Sequence, residues 1–182
     1  MAKNVIIVVD LDKTLIDFDS FRILTLRNIY KFRVLYLLLL RKLRIISSFK
    51  FKKQIMTYLI NRNGKEYFNQ FADELTEKIN INILGKITNI KSTNDLIVVL
   101  SASPQLYVSI IAKNMGWIGY GSTFSGIDEN NQDRHLYGNE KLNFLLNNYP
   151  LNLYKYKYGI SDSFSDLKML SYFDNYELIK TK

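Results

Sequence analysis

The chain has 182 residues, 47% hydrophobic and 23% charged, which suits one packed domain or a core with one inserted module and excludes a disordered chain. Cysteine is absent, which excludes disulfides, thiolate metal sites and a cysteine nucleophile, and the single histidine, His135, excludes chemistry that needs two. The net charge of +8 is unevenly spread: twelve Lys or Arg and no acid lie between Ser20 and Lys65, leaving thirteen basic against seventeen acidic residues elsewhere, so one segment carries all the excess and favours an anionic partner.

The stretch from Met1 to Asp10 is too short for the apolar core of a signal peptide, which predicts a cytoplasmic protein. Asn4 to Val9, NVIIVV, is a continuous β-branched run ending at Asp10, the pattern of a strand buried on both faces of a parallel sheet. Residues 18–92 then predict three or four helices and no strand, with a break at Gly64, and read as an inserted helical cap. Within it Arg33 and Arg41 flank VLYLLLL, a helical run of roughly 10 Å that falls far short of a bilayer core of about 30 Å. On a helical wheel Phe32, Leu35, Tyr36, Leu39, Leu43 and Ile46 share one face, while Val34, Leu37 and Leu38 fall on the side of the basic residues.

Asp95 to Leu100, DLIVVL, predicts a second buried strand ending at Ser101, and Ser103 is a natural cap for a helix over Pro104 to Met115. Residues 117–138, rich in Gly, Asn and Asp, predict a β-hairpin or flap, with His135 as a solvated loop residue. A helix over Gly138 to Tyr149, a strand over Tyr154 to Ile160, a helix over Phe164 to Ser171 and a last strand over Tyr176 to Ile179 complete the chain. Strand alternating with helix predicts an α/β fold: a Rossmann-like, mostly parallel sheet with helices on both faces, its core formed by 1–17 and 93–182 and its cap by 18–92.

Ligands of such sheets bind beyond the carboxyl ends of strands, and Asp10, Ser101 and Asp162 all sit there. In Asp10-Leu11-Asp12-Lys13-Thr14, two acids two apart suit phosphoryl transfer, the first carboxylate attacking phosphorus and the second protonating the leaving alcohol, then activating water. Mg²⁺ suits such hard oxygen ligands. Asp162 and Asp166 open a helix after a strand, where one completes a metal site and the other supports a neighbouring cation. Ser101 offers a hydroxyl to a phosphate oxygen, with nearby backbone N–H groups, and Lys141 a charge for the transferring group. Singly, each of these acids and hydroxyls also reads as a turn former or helix cap.

In order along the chain, DLDKT, LSAS, Lys141 in GNEK, and SDSFSD resemble the four motifs of the haloacid dehalogenase superfamily. The resemblance implies Asp10 as nucleophile, Asp12 as general acid and base, and Mg²⁺ held by the Asp10 carboxylate, the Asp12 carbonyl and Asp162. It implies a phosphate held by Ser101, Ala102 and Lys141, a first loop steadied by Thr14, and Asp166 behind the site. An acid at position 12 favours phosphoryl transfer over dehalogenation. The helical insert resembles the cap of the phosphoserine phosphatase-like subfamily, in which Asp19 matches a substrate-facing acid, while Ser161 stands where that family commonly has Gly.

The basic, leucine-rich cap and SASPQLYV also resemble phosphatidylglycerophosphate phosphatases of the same subfamily, which implies a lipid phosphate as substrate and peripheral contact with an anionic membrane at its inner face. Two alternatives stand beside this reading. One is a phosphatase of soluble small molecules (phosphoserine, a sugar phosphate or a glycan precursor), favoured by a polar pocket near Asp19 and Arg22; the other is a non-catalytic basic protein that binds membrane or nucleic acid. The segment carries no recognised nucleic-acid motif, so no nucleic-acid partner is expected.

Overall fold

Alternate side chains of the first strand point to opposite faces of the sheet, and both faces are dry: Ile7 and Val9 join one buried cluster, Ile6 and Val8 the other. In the computed structural model, which describes residues 3–179, this strand, β1 (Asn4–Val9), lies at the centre of five. The others are β2 (Leu96–Pro104), β3 (Ile118–Ser122), β4 (Tyr154–Ser161) and β5 (Asn175–Leu178). All pairings are parallel, in the order β3-β2-β1-β4-β5. The extreme termini that the sequence reading assigns to the core, 1–2 and 180–182, lie outside the described residues.

The chain leaves β1 for the β2–β3 side of the sheet and later returns to the β4–β5 side. The strand order therefore reverses at the carboxyl end of β1, where a crevice opens in folds of this kind. Helix α6 (Gln105–Asn114) packs on one face, while α7 (Asn139–Asn148) and α8 (Leu167–Leu170, after a 3₁₀ turn over Phe164–Asp166) pack on the other.

Between β1 and β2 lie five helices rather than three or four: α1 (Ser20–Arg27), α2 (Phe32–Lys42), α3 (Ser48–Asn63), α4 (Glu66–Thr76) and α5 (Ile81–Ile90). Asn80 makes the additional start, its side chain accepting the N–H groups of Asn82 and Ile83. Gly64 ends α3 at φ +74°, a conformation that favours glycine. The apolar cluster on the α6 face runs without interruption from the sheet into this insert, through Phe71 and Tyr107, whose rings meet edge to face at 5.3 Å.

Two local expectations are corrected. Residues 118–122 form the edge strand β3 rather than one arm of a hairpin, and the only antiparallel bridge of the following loop is Thr123 with Arg134, among the described residues. The glycines that suggest a turn instead permit close approach: a Cβ on Gly121 would lie 2.5 Å from the Ser103 carbonyl, and one on Gly119 2.6 Å from that of Val108. Ser103 does not cap α6, which starts from Pro104 without a side-chain cap, because strand β2 continues past Leu100 and carries Ser103 into the crevice. On α2, which packs against α3, Phe32, Leu35, Tyr36 and Leu39 of the wheel face, with Leu43 just beyond, are turned outward, Phe32 being 83% exposed, whereas Ile46 of that face is buried and Val34 and Leu37 are the buried pair of the helix.

Candidate functional site

Three strand ends converge. Asp10 follows β1, Ser101 and Ser103 lie among the last residues of β2, and Asp162 follows β4. Backbone N–H of Asp10 donates to the Ile160 carbonyl at 2.9 Å, which ties the first loop to β4. The chain then reverses tightly: Lys13 takes φ +55°, its N–H donates to Phe18 O at 3.2 Å, and Leu15 N–H returns to Asp10 O at 3.3 Å. A cleft of about 480 Å³ opens above these ends.

The sequence-identified residues mostly meet there. Lys141, on the first turn of α7, is buried with its Nζ 2.8 Å from Asp10 Oδ1 and 2.7 Å from Asp166 Oδ2. Asp166 also accepts from Ser161 Oγ at 2.8 Å, and Ser161 Oγ accepts Ser163 N–H at 3.1 Å. The serine in place of the common glycine thus secures the loop after β4, and its φ is not positive. Asp12, Asp19, Ser101, Ala102 and Asp162 line the same cleft. Thr14 does not: it is 1% exposed behind the loop, and its Oγ1 is buried without a partner. Asp19 is both cleft wall and helix cap, its carboxylate accepting Arg22 N–H at 2.8 Å, whereas Arg22 itself points to solvent and is not in the lining.

Asp12 sits in a niche of hydroxyls. Its Oδ1 accepts Ser20 N–H at 2.6 Å, the first backbone donor of α1, and its Oδ2 accepts Ser103 Oγ at 2.5 Å. Ser20 Oγ in turn lies 3.2 Å from Ser103 Oγ and 3.0 Å from Tyr107 OH. Burial raises the Asp12 carboxyl and nearby Asp19 raises it further, against the hydrogen bonds from Ser103 and Ser20. The shift is in the direction that suits a proton donor.

The insert contributes groups the sequence reading does not single out as cleft residues. Arg41 from α2, and Ser48 and Lys52 from α3, line the cleft. Lys52 Nζ donates to Ala102 O at 2.8 Å, and burial lowers its pKa although Asp12, Asp19 and Asp10 oppose the shift. The basic run is therefore not uniformly outward: Lys52 turns into the cleft, and Lys53 pairs with Asp133 at 2.8 Å. His135 is a half-buried cleft wall rather than a solvated loop residue, stacked on Tyr137 at 5.6 Å, with burial first and Lys52 second lowering its pKa. Spacing marks Ser103, two residues from Ser101 on a strand and so on the same face; nothing in the sequence separates Lys52 from its neighbours.

The donor set fits a hard divalent cation. Five carboxylates face four cations in the lining. Half-buried Asp162 is raised chiefly by burial, with Lys13 and Lys141 lowering it, and no hydrogen bond contributes. Such a carboxylate is available as a ligand. No group of three or more His, Cys, Asp or Glu side chains gathers among the described residues, so such a site must draw on backbone oxygen as well.

Burial, the strongest influence, pushes Asp10 up to about 7; Lys141 lowers it and Asp166 raises it. A carboxyl raised on folding binds its proton more tightly in the folded state, so its contribution to stability falls as pH rises from about 4 to about 7. Asp10→Asn removes that loss. In chelator-containing buffer at pH 8 the variant is expected to melt above the wild type, with the gap narrowing towards pH 5. Thermal denaturation at both pH values checks this; a variant less stable at pH 8 would mean that the Lys141 pair outweighs burial.

A family model for haloacid dehalogenase-like hydrolases matches residues 7–171. Among solved structures, a protein of unknown function from Bordetella pertussis Tohama I aligns at a TM-score of 0.70 and 14% identity, over 93% of this chain and 87% of that one. A phosphoserine phosphohydrolase-like protein from Francisella tularensis subsp. tularensis SCHU S4 aligns at 0.55 and 15%, over 96% and 86%. A structure described as a phospho-aspartyl intermediate analogue of phosphoserine phosphatase aligns at 0.52 and 12%, over 97% and 86%. No curated protein matches the chain.

Proposed function

The chain belongs to the haloacid dehalogenase-like hydrolases, and on that premise we propose that it is a Mg²⁺-dependent phosphomonoesterase working through phosphorylated Asp10. The observation that carries the reading is the buried Asp10–Lys141–Asp166 cluster at the carboxyl end of β1, with Asp12 and Asp162 in the same cleft. The ion pair leaves Asp10 a second oxygen for attack on phosphorus. As the Asp10–phosphorus bond forms, the ester P–O bond breaks and the leaving oxygen takes the Asp12 proton. Asp12 then takes a proton from water, whose oxygen attacks phosphorus, and the Asp10 carboxylate leaves with inorganic phosphate as the other product. Lys141 and the Ser101 hydroxyl hold phosphoryl oxygens throughout. The Asp10 carboxylate, the Asp12 carbonyl and Asp162 would hold Mg²⁺, which when bound offsets repulsion between these carboxylates and the phosphate. In this reading residues 18–92 are the cap, delivering Asp19, Arg41 and Lys52 to the cleft.

The lining contains no Leu, Ile, Val, Met or Phe, so the cleft suits a polar phosphoester and leaves no place for an acyl chain. A lipid phosphate such as phosphatidylglycerophosphate fits if only its headgroup enters. A soluble zwitterionic ester such as phosphoserine is favoured by a different observation, that Asp19 faces the cleft together with Lys52 and Arg41. Phosphate release from the lipid in mixed micelles, beside phosphoserine and sugar phosphates, tests both. Release is expected to fall to background with chelator and to return with Mg²⁺. Release that persists in chelator sinks the reading.

A further inference from the structure

The largest feature unused by the cleft is the outer face of α2. Phe32, Leu35, Tyr36, Leu39 and Leu43 recur at spacings of three and four and are 51–83% exposed, so they form one apolar stripe along the helix and its end. Half of the large hydrophobic side chains exposed among the described residues, nine of eighteen, lie between Leu26 and Ile45. Isolated exposed apolar residues are ordinary, but a contiguous stripe marks an interaction site. Arg33 borders the stripe on one side and Lys42 on the other, both exposed, and Arg44 follows. No acid occurs from Ser20 to Lys65 to neutralise them.

We propose that this face of α2 docks the protein on an anionic lipid bilayer, with the stripe entering the headgroup boundary and Arg33 and Lys42 meeting lipid phosphates on either side. The pattern, an apolar arc edged by basic residues, is that of a helix lying in the plane of a membrane surface. No helix among the described residues is long and apolar enough to cross a membrane, so the contact is peripheral. The same charges disfavour a second copy as occupant, since two such faces would oppose like charges. Helix α2 also reaches the cleft through Arg41. Docking therefore holds the cleft about one helix diameter, roughly 10 Å, from the bilayer surface. That consequence for a lipid substrate rests on the catalytic reading above; the docking itself does not.

Sedimentation with vesicles tests the proposal on the whole chain. Wild type is expected to pellet at low salt with vesicles of phosphatidylcholine and phosphatidylglycerol, to be released by high salt, and to stay in solution with phosphatidylcholine alone. Arg33→Gln with Lys42→Gln is expected to weaken partitioning roughly 25-fold, about five-fold per charge, and Leu35→Ser with Leu39→Ser to abolish it. Both double variants should hydrolyse p-nitrophenyl phosphate like the wild type. The proposal is overturned if wild type fails to pellet at low salt, or if both double variants pellet as wild type does. It is equally overturned if, without lipid, the wild type sediments as a dimer that Leu35→Ser with Leu39→Ser turns into monomer, for then a second copy covers the face. Intact vesicle binding with no hydrolysis by wild type would reject the catalytic reading and leave the docking surface standing.

Discussion

Phosphate release is expected to fall on the order of 10⁶-fold when Asp10 becomes Asn, the scale of losing the nucleophile from a catalytic unit. The substitution is nearly isosteric, and Asn retains an oxygen to accept from Lys141 Nζ, now 2.8 Å from Asp10 Oδ1. Lys141 also keeps Asp166 at 2.7 Å, so its charge does not become an unpaired buried cation. The variant therefore removes nucleophilicity while preserving the cleft, and the melting comparison above verifies that it folds. Single-turnover phosphate release with a reactive aryl phosphate measures the loss. A variant retaining even one per cent of wild-type release would show that water attacks directly or that another side chain takes the phosphoryl group.

Asp12→Asn is expected to lower kcat by about 10²–10⁴-fold, the range of general acid–base assistance, and the size of the loss should depend on the leaving group. A poorly leaving alkyl alcohol needs a proton in the first step, which Asn cannot supply. A p-nitrophenolate leaves without one, so the first step survives and the second, which needs a base for water, becomes limiting. The variant should then release one equivalent of nitrophenol in a burst and stall as phosphoenzyme. The niche tolerates the change: Ser20 N–H can still donate to the amide oxygen, and the Ser103 hydroxyl, which donates to Asp12 Oδ2, need only rotate to accept. Equal losses with alkyl and aryl esters, and no burst, would assign Asp12 a structural role.

What the sequence discloses follows from how few ways each feature can be satisfied. A six-residue β-branched run ending in an acid has one good home, the centre of a parallel sheet, and β1 occupies it. The strands ending at Ser101 and Asp162 are legible for the same reason, and strand ends bring Asp10, Ser101 and Asp162 together whatever the intervening helices do. The parts misread or left open had two solutions each. Gly119 and Gly121 suit a turn as well as a strand pressed against α6, and only the 2.5–2.6 Å spacings separate the two. Both sides of α2 are apolar, so periodicity alone does not tell which packs; α3 takes the Val34–Leu37 side and leaves Phe32 and Leu35 outside. Ser20, Ser103 and Tyr107 surround Asp12 across 87 residues of chain, a distance over which local pattern carries no information. His135 reads as loop because its neighbours are polar, yet it rests between Phe49 and Tyr137 in the cleft wall.

The covalent intermediate is the most direct test of the whole assignment. Asp12→Asn would be mixed with an ester labelled at phosphorus and Mg²⁺, quenched in acid within a single turnover, digested, and its labelled peptide sequenced. Label is expected on the peptide carrying Asp10, removable by hydroxylamine as an acyl phosphate is, and absent when Mg²⁺ is withheld. Steady phosphate release with no trapped label, or label on any other residue, would contradict Asp10 as the nucleophile.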